Sequence, residues 1–215
     1  MSTLLHFLLN IDKELLVMVN NYGAITYAIM FLIIFCETGL VFIPFLPGDS
    51  LLFASGAVAA IHSLNIVQVY SVYVAAAIIG DAVNYKIGEK IGRKIISKKD
   101  GQGRMYFKLR ENFKSAEKFY RKYGTKAVVI GRFVPIIRAF IPFTAGICKM
   151  KFDKFIKYDI VGGVLWTGIF VGSGYIFGNI DIVKSNFHYI TVFIILLSVI
   201  PVFILYRKTK NDSIM

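Results

Sequence analysis

The sequence is poor in the residues that most enzymes use for chemistry. It has 3 histidines and 2 cysteines in 215 residues. Two cysteines, Cys36 and Cys148, make neither a disulfide framework nor a zinc site. Their apolar surroundings predict buried thiols. The histidines, His6, His62 and His188, fall in an N-terminal segment and at predicted loop ends. None stands beside the arginines as a lipid-phosphate phosphatase would require. Ser173 has no evident histidine partner for an intramembrane serine protease. No metal-ligand cluster stands out, no cofactor is implied, and an enzyme is not expected. Charge is also scarce, at 18% of residues against about 25% in soluble domains. The N-terminus lacks a basic leader, and Asp12, Lys13 and Glu14 interrupt its apolar stretch, so a cleaved secretory signal is not expected.

What is abundant is apolar surface. Hydrophobic residues make up 56% of the chain, and the mean hydropathy is +0.64. Long apolar runs alternate with one dense basic block, which is a membrane pattern. The net charge is +12, and residues 86–126 hold 14 Lys/Arg against 4 Asp/Glu. A basic loop between spans follows the positive-inside rule and needs no nucleic acid partner. It would also attract anionic lipid headgroups, at roughly 1 kcal/mol per Lys or Arg near the surface.

Read along the chain, residues 1–22 are mixed and form an N-terminal amphipathic segment, either interfacial or a poor span. Residues 24–62 are apolar but broken in the middle by Pro44, Pro47, Gly48 and Asp49. Such a break cannot remain helical. Non-helical backbone at membrane depth must be surrounded by protein or line a cavity, so this stretch reads as a re-entrant hairpin. Residues 66–85 form a span that ends at the basic block, residues 86–126. Within that block Tyr106, Leu109, Phe113, Ala116, Tyr120 and Tyr123 recur at helical spacing and Gly124 supplies a stop. A basic amphipathic helix of this kind is expected to lie on the membrane surface. Residues 127–148, interrupted by Pro135 and Pro142, have basic charge on both sides and read as a second re-entrant hairpin that includes Gly146. Spans follow at 158–178 and 189–206, and the basic residues after 206 put the C-terminus in the cytoplasm. The fold class is an all-α integral membrane protein, a single membrane domain of multiple passes.

The two halves echo one another. Phe42-Ile43-Pro44-Phe45-Leu46-Pro47-Gly48 matches Phe140-Ile141-Pro142-Phe143-Thr144-Ala145-Gly146. Tyr85-Lys86-Ile87-Gly88 matches Tyr175-Ile176-Phe177-Gly178. The spans run in opposite directions, so the expectation is two inverted repeats, each a re-entrant hairpin plus a transmembrane helix, with an extra C-terminal span. Gly80, Gly88, Gly92, Gly168, Gly172, Gly174 and Gly178 suggest close helix packing.

Four charges lie inside the hairpins: Glu37 and Asp49 in the first, Arg132 and Arg138 in the second. Each costs about 2.5–3.5 kcal/mol at a membrane-centre position. Arginine binds phosphate bidentately and stays charged when buried, so Arg132 and Arg138 are candidates for an anionic headgroup. Glu37 and Asp49 are candidates for proton or ion coupling, since burial shifts a carboxylate toward neutral pH. The alternative is that the four charges form ion pairs that only hold the hairpins together. Asp81, with Asn84 and Tyr85 one turn later, is either a second polar relay or an interfacial anchor. Trp166 and Tyr175 read as packing or interface residues.

Glu37-Thr38-Gly39 with Phe42 to Asp49 resembles the first signature of the DedA family, the SNARE-associated or VTT domain. Gly131-Arg132-Phe133-Val134-Pro135-Ile136-Ile137-Arg138, with Pro142 and Ala145-Gly146, resembles the second. Gly80-Asp81, Asn84-Tyr85 and Gly88 are similar to a third. The resemblance covers roughly residues 20–185. It implies two inverted re-entrant hairpins, essential charges at Glu37, Asp49, Arg132 and Arg138, and lipid translocation in a bacterial plasma membrane. Bacterial members are linked to undecaprenyl phosphate recycling for cell-envelope synthesis, and eukaryotic relatives scramble phospholipids. The expected function is therefore a lipid-phosphate translocase coupled to a proton or ion gradient. An energy-independent phospholipid scramblase and a proton-coupled small-cation exporter are the alternatives. The partner is a membrane lipid, and homo-oligomerisation is left open.

Overall fold

The structure is a computed structural model that describes residues 11–39, 48–61, 63–92, 104–134, 137–178 and 180. Among these the secondary structure is entirely helical. The helices are α1 (Ile11–Tyr22), α2 (Ile25–Gly39), α3 (Gly48–Ala60) and α4 (Ile66–Ile87), with a π-helical turn at Gly88–Gly92. They continue with α5 (Arg104–Tyr123), α6 (Ala127–Gly131), α7 (Ile137–Ile147) and α8 (Phe152–Phe177). Pro44, Pro47, Pro135, the three histidines and the expected span at 189–206 lie outside the described residues.

Among the described residues two helices are long and apolar enough to cross a bilayer: α4 with its π turn, Ile66–Lys90, and α8, Phe152–Phe177. The first starts where the sequence predicts. Asn65 caps it, its side-chain oxygen accepting from the N–H groups of Val67 at 3.0 Å and Gln68 at 3.2 Å. The second starts six residues before the expected 158. Lys151 accepts from the Lys154 and Phe155 N–H groups, each at 3.0 Å, and so opens the helix. Asp153 lies in the first turn, where a carboxylate meets the positive end of the helix dipole. Along α8, Ile160, Val161, Val164, Leu165, Ile169 and Ile176 are exposed, a surface that lipid can cover and water cannot favourably wet.

The chain forms two compact units. One takes the described residues of 1–31, 47–73 and 167–215, the other those of 32–46 and 74–166. In the first unit α1 packs against α3, and every residue of α3 from Gly48 to Ala59 is buried. Ser55 donates to the Leu51 carbonyl at 2.7 Å and meets the Tyr73 hydroxyl at 2.6 Å, so the polar groups of this buried helix are paired as burial demands.

In the second unit the core gathers Tyr85, Phe113, Phe140, Ile141, Phe143 and Phe155. Helix α5 ends as expected, with Gly124 in the left-handed region at φ +57°. Part of its apolar face packs on protein: Phe113 and Ala116 are buried, and Phe113 meets Phe143 of α7 edge-on with ring centroids 6.4 Å apart.

Helix α7 also departs from expectation. Pro142 and Gly146 do not break it; both lie inside it and are buried. The loss of one helix hydrogen bond at Pro142 is tolerated where surrounding helices enclose the backbone. Gly146 serves close packing instead: a Cβ there would lie 2.2 Å from the Tyr85 carbonyl oxygen and 2.7 Å from the Glu89 nitrogen. Gly88 answers from α4, where a Cβ would fall 2.2 Å from the Phe143 oxygen. The helix ends instead at Lys149, at φ 55°. There the Met150 N–H bonds to the Ala145 carbonyl and the Lys149 N–H to the Gly146 carbonyl, both at 3.0 Å, which is a Schellman stop.

The first unit contains the same contact. A Cβ on Gly56 would lie 2.2 Å from the Val171 oxygen, and one on Gly174 would lie 2.0 Å from the Phe53 oxygen. Phe53-Ala54-Ser55-Gly56 thus does in one unit what Phe143-Thr144-Ala145-Gly146 does in the other. This is not the register of the sequence echo, which pairs Gly146 with Gly48 and Gly88 with Gly178. The packing selects Phe-x-x-Gly, the spacing that puts a carbonyl and a bare Cα on one face of a helix.

Cys36 is half-buried and Cys148 exposed, and neither forms a disulfide. The expectation that both thiols are buried is therefore not met; Cys148 falls in the exposed turn after α7.

Candidate functional site

The site lies in the second unit, where several helical segments supply charge. Glu37 comes from the end of α2, Asp81 from α4, Arg132 from the turn after α6 and Arg138 from the first turn of α7. Helices α2 and α4 approach closely at Gly39 and Gly80: a Cβ on Gly39 would lie 3.3 Å from the Gly80 Cα. That contact brings Glu37 and Asp81 into one neighbourhood. Arg132 is placed by a run of tight turns, with Arg132, Phe133 and Val134 N–H groups bonded to the carbonyls of Val129, Ile130 and Gly131.

Arg138 donates to Glu37, and its side chain keeps 18% exposure while that of Glu37 keeps 4%. Arg132 donates through Nη2 to Asp81 and, at 2.5 Å, to Asp159 of α8. Arg132, Asp81 and Asp159 are all buried. The Arg132 side chain lies against Gly162 and Gly163 of α8, where a Cβ would stand in ordinary contact, 3.5 Å from Arg132 Cδ and 3.4 Å from its Nη1. Charges buried at this depth are tolerated only when paired.

Trp166 completes the site. Its ring lies 5.9 Å from the Arg132 guanidinium carbon and 5.5 Å from that of Arg138, within the range of cation–π attraction. Expected to be a packing or interface residue, it is buried with both guanidinium groups near its ring. Trp166 lines a small cavity together with Glu37, Thr38, Asp81, Arg132, Arg138 and Ala139. The cavity offers about 20 Å³ to water centres, room for one or two waters.

The remaining expected residues sort differently. Asn84 is fully buried and donates to the Thr38 carbonyl at 3.0 Å and the Ala139 carbonyl at 2.8 Å. It ties α2 and α7 to α4. Tyr85 donates to the Met150 carbonyl and stacks on Phe155 at 4.7 Å between centroids. It belongs to the apolar core and not to a relay. Asp81 is a buried ion-pair partner and not an interfacial anchor. Asp49 belongs to the first unit and is buried in the first turn of α3, where the helix dipole favours a carboxylate. Asp159 was not foreseen. The signal available was an acid inside the second long apolar helix, hidden by the lysines that precede it. Among the described residues no group of three or more His, Cys, Asp or Glu has the arrangement of a metal site.

Beside the charged site runs an open apolar groove lined by Ile78, Ile79, Ala82, Val83, Phe152 and Ile156, with Lys86 and Lys90 toward the C-terminal end of α4. Lys86 Nζ sits 4.7 Å over the Phe152 ring.

The VTT domain matches residues 46–176. The chain belongs to the VTT-domain, or DedA, family. Protein DedA of Escherichia coli K12 is 44% identical over 200 residues, covering 92% of this chain and 90% of the relative. An uncharacterized membrane protein of Mycobacterium tuberculosis is 35% identical over 196 residues, covering 88% and 84%. Inner membrane protein YghB of Escherichia coli K12 is 28% identical over 176 residues, covering 82% and 78%. No solved structure matches. The latter two relatives are named as membrane proteins, in keeping with the two long apolar helices and the exposed apolar surface of α8.

Proposed function

We propose that this family member moves a phosphate-headed lipid across the bilayer, with undecaprenyl phosphate the leading substrate and cell-envelope synthesis the process served. The observation that carries the reading is the Arg138–Glu37 pair. It is a guanidinium at the first turn of a short buried helix, paired with Glu37 and left 18% exposed. A phosphate can replace that carboxylate, and its oxygens suit the planar guanidinium fork. Arg132 is held by two carboxylates and so acts as a fixed positive background more than as a ligand. The apolar groove that includes Ile79, Val83 and Phe152 suits an isoprenoid or acyl chain, and Lys86 and Lys90 would meet its anionic end.

The cavity beside Arg138 has room for a water molecule but not for a phosphate group. Loading must therefore open the Arg138–Glu37 pair and widen the site, and Glu37 acts as a latch that competes with the substrate. The basic block at 86–126 faces the cytoplasm on this reading, by the positive-inside rule.

The test is lipid flipping by the purified protein in vesicles, comparing undecaprenyl phosphate with zwitterionic phospholipids at two pH values. Arg138→Ala should abolish flipping of the phosphate lipid, and Arg138→Lys should restore only part of it, because an ammonium cannot present the planar fork. Undiminished flipping by Arg138→Ala refutes the site. A rate that ignores lipid headgroup, pH and membrane potential would instead mark an energy-independent scramblase.

A further inference from the structure

Two buried carboxylates converge on one guanidinium. Asp81 on α4 and Asp159 on α8 both accept from Arg132 Nη2. Asp159 has no exposure at all, and Asp81 and Arg132 keep 6% and 5%. Both carboxyl groups therefore crowd one nitrogen, and two ionised carboxylates gathered on a single guanidinium nitrogen repel one another.

The charge balance points the same way. Fully ionised, the trio carries one uncompensated negative charge in a place where an unpaired charge is costly. The neighbouring Arg138–Glu37 pair is neutral as a unit and does not offset it. The other side chains that line the cavity, Thr38, Ala139 and Trp166, carry no charge. Asp159 Oδ2 is buried and meets no donor among the described residues. A proton is the smallest species that meets all three conditions, and the adjacent cavity has room for the water that would deliver it.

We propose that Asp81 and Asp159 share one proton beside Arg132, and that this pair is where the protein takes up and releases a proton. In the loaded state one O–H···O⁻ bridge joins the carboxyl groups and the trio is neutral. On release the proton passes to water, and both carboxylates remain on Arg132 with a net charge of −1. The arrangement follows the general rule that two adjacent acids cannot both ionise freely. It moves the proton role from Glu37 and Asp49, where the sequence suggested it, to a pair that bridges both long apolar helices. Its use to drive lipid movement rests on the lipid-phosphate reading; the existence of the shared proton does not.

The experiment is infrared spectroscopy of the full-length protein in vesicles, read at the carbonyl band of a protonated carboxyl group. At neutral pH the wild type should show this band. It should be lost in both Asp81→Asn and Asp159→Asn, since either change leaves one carboxylate facing Arg132. It should persist in Asp49→Asn. Absence of the band in the wild type, its persistence in either Asp81→Asn or Asp159→Asn, or its loss in Asp49→Asn overturns the proposal. Should either Asp81→Asn or Asp159→Asn fail to fold, the Asp49→Asn protein decides the question by isotope labelling. The band must then shift with labelled aspartate, and a shift with labelled glutamate overturns the proposal. Flipping assays on the same vesicles separate the two readings. Failure to flip any phosphate lipid with the band behaving as stated removes the lipid function and leaves the proton site.

Discussion

Substituting Gly146 by alanine tests the packing that holds Arg138 in place. The new Cβ would sit 2.2 Å from the Tyr85 carbonyl oxygen, and an ordinary contact begins near 3.4 Å. Helix α7 or α4 must therefore move by about 1.2 Å, the difference between those distances. The obstacle is backbone on both sides, so no rotamer change relieves it. Overpacking of this kind costs about 1–3 kcal/mol, and an immovable neighbour puts the value at the upper end. For a chain of this length that is roughly 2–4 °C of melting temperature per kcal/mol, so a loss of several degrees is expected in a thermal melt of the purified protein. Gly172→Ala is the control. It lies in α8 with nothing within 4 Å of the added atom, and replacing a mid-helix glycine there should stabilise by about 0.5–1 kcal/mol. The two variants thus shift the melt in opposite directions. The reasoning is refuted if Gly146→Ala melts at or above the wild type, or if Gly172→Ala falls as far as Gly146→Ala.

Two more outcomes follow from the second unit. Arg132→Ala leaves Asp81 and Asp159 buried without their shared cation, a loss of about 3–5 kcal/mol; a sharp drop in folded yield by size-exclusion chromatography is expected. Arg132→Lys should recover little of that yield, and full recovery would show that the planar fork is not needed. Lys149→Gly relieves a left-handed residue at φ 55° and keeps the Schellman hydrogen bonds, which should raise stability by about 1 kcal/mol. Chemical denaturation in detergent would measure it, and an unchanged or lower midpoint would count against that geometry.

Much of the architecture is written locally in the chain. A predominantly apolar run of more than twenty residues defines α4 whatever surrounds it, and the spacing of Phe113, Ala116 and Tyr120 before Gly124 defines α5. The four unusual charges could be picked out because a charge inside an apolar run is visible by inspection. What each charge meets was not visible. Glu37 and Arg138 are 101 residues apart, and Arg132 lies 51 from Asp81 and 27 from Asp159. No periodicity links positions so distant; the pairing depends on helix crossings at Gly39–Gly80 and Gly88–Gly146, where missing side chains let backbones touch. The same crossings explain why Gly146 reads as a break in one dimension and packs inside a helix in three. The sequence by itself determined that this protein is helical, lives in a membrane and hides charge there. Only the tertiary structure decided that Arg132 is held by Asp81 and Asp159 and that Arg138 pairs with Glu37, because ion pairing is set by distance in space and hydropathy by order along the chain.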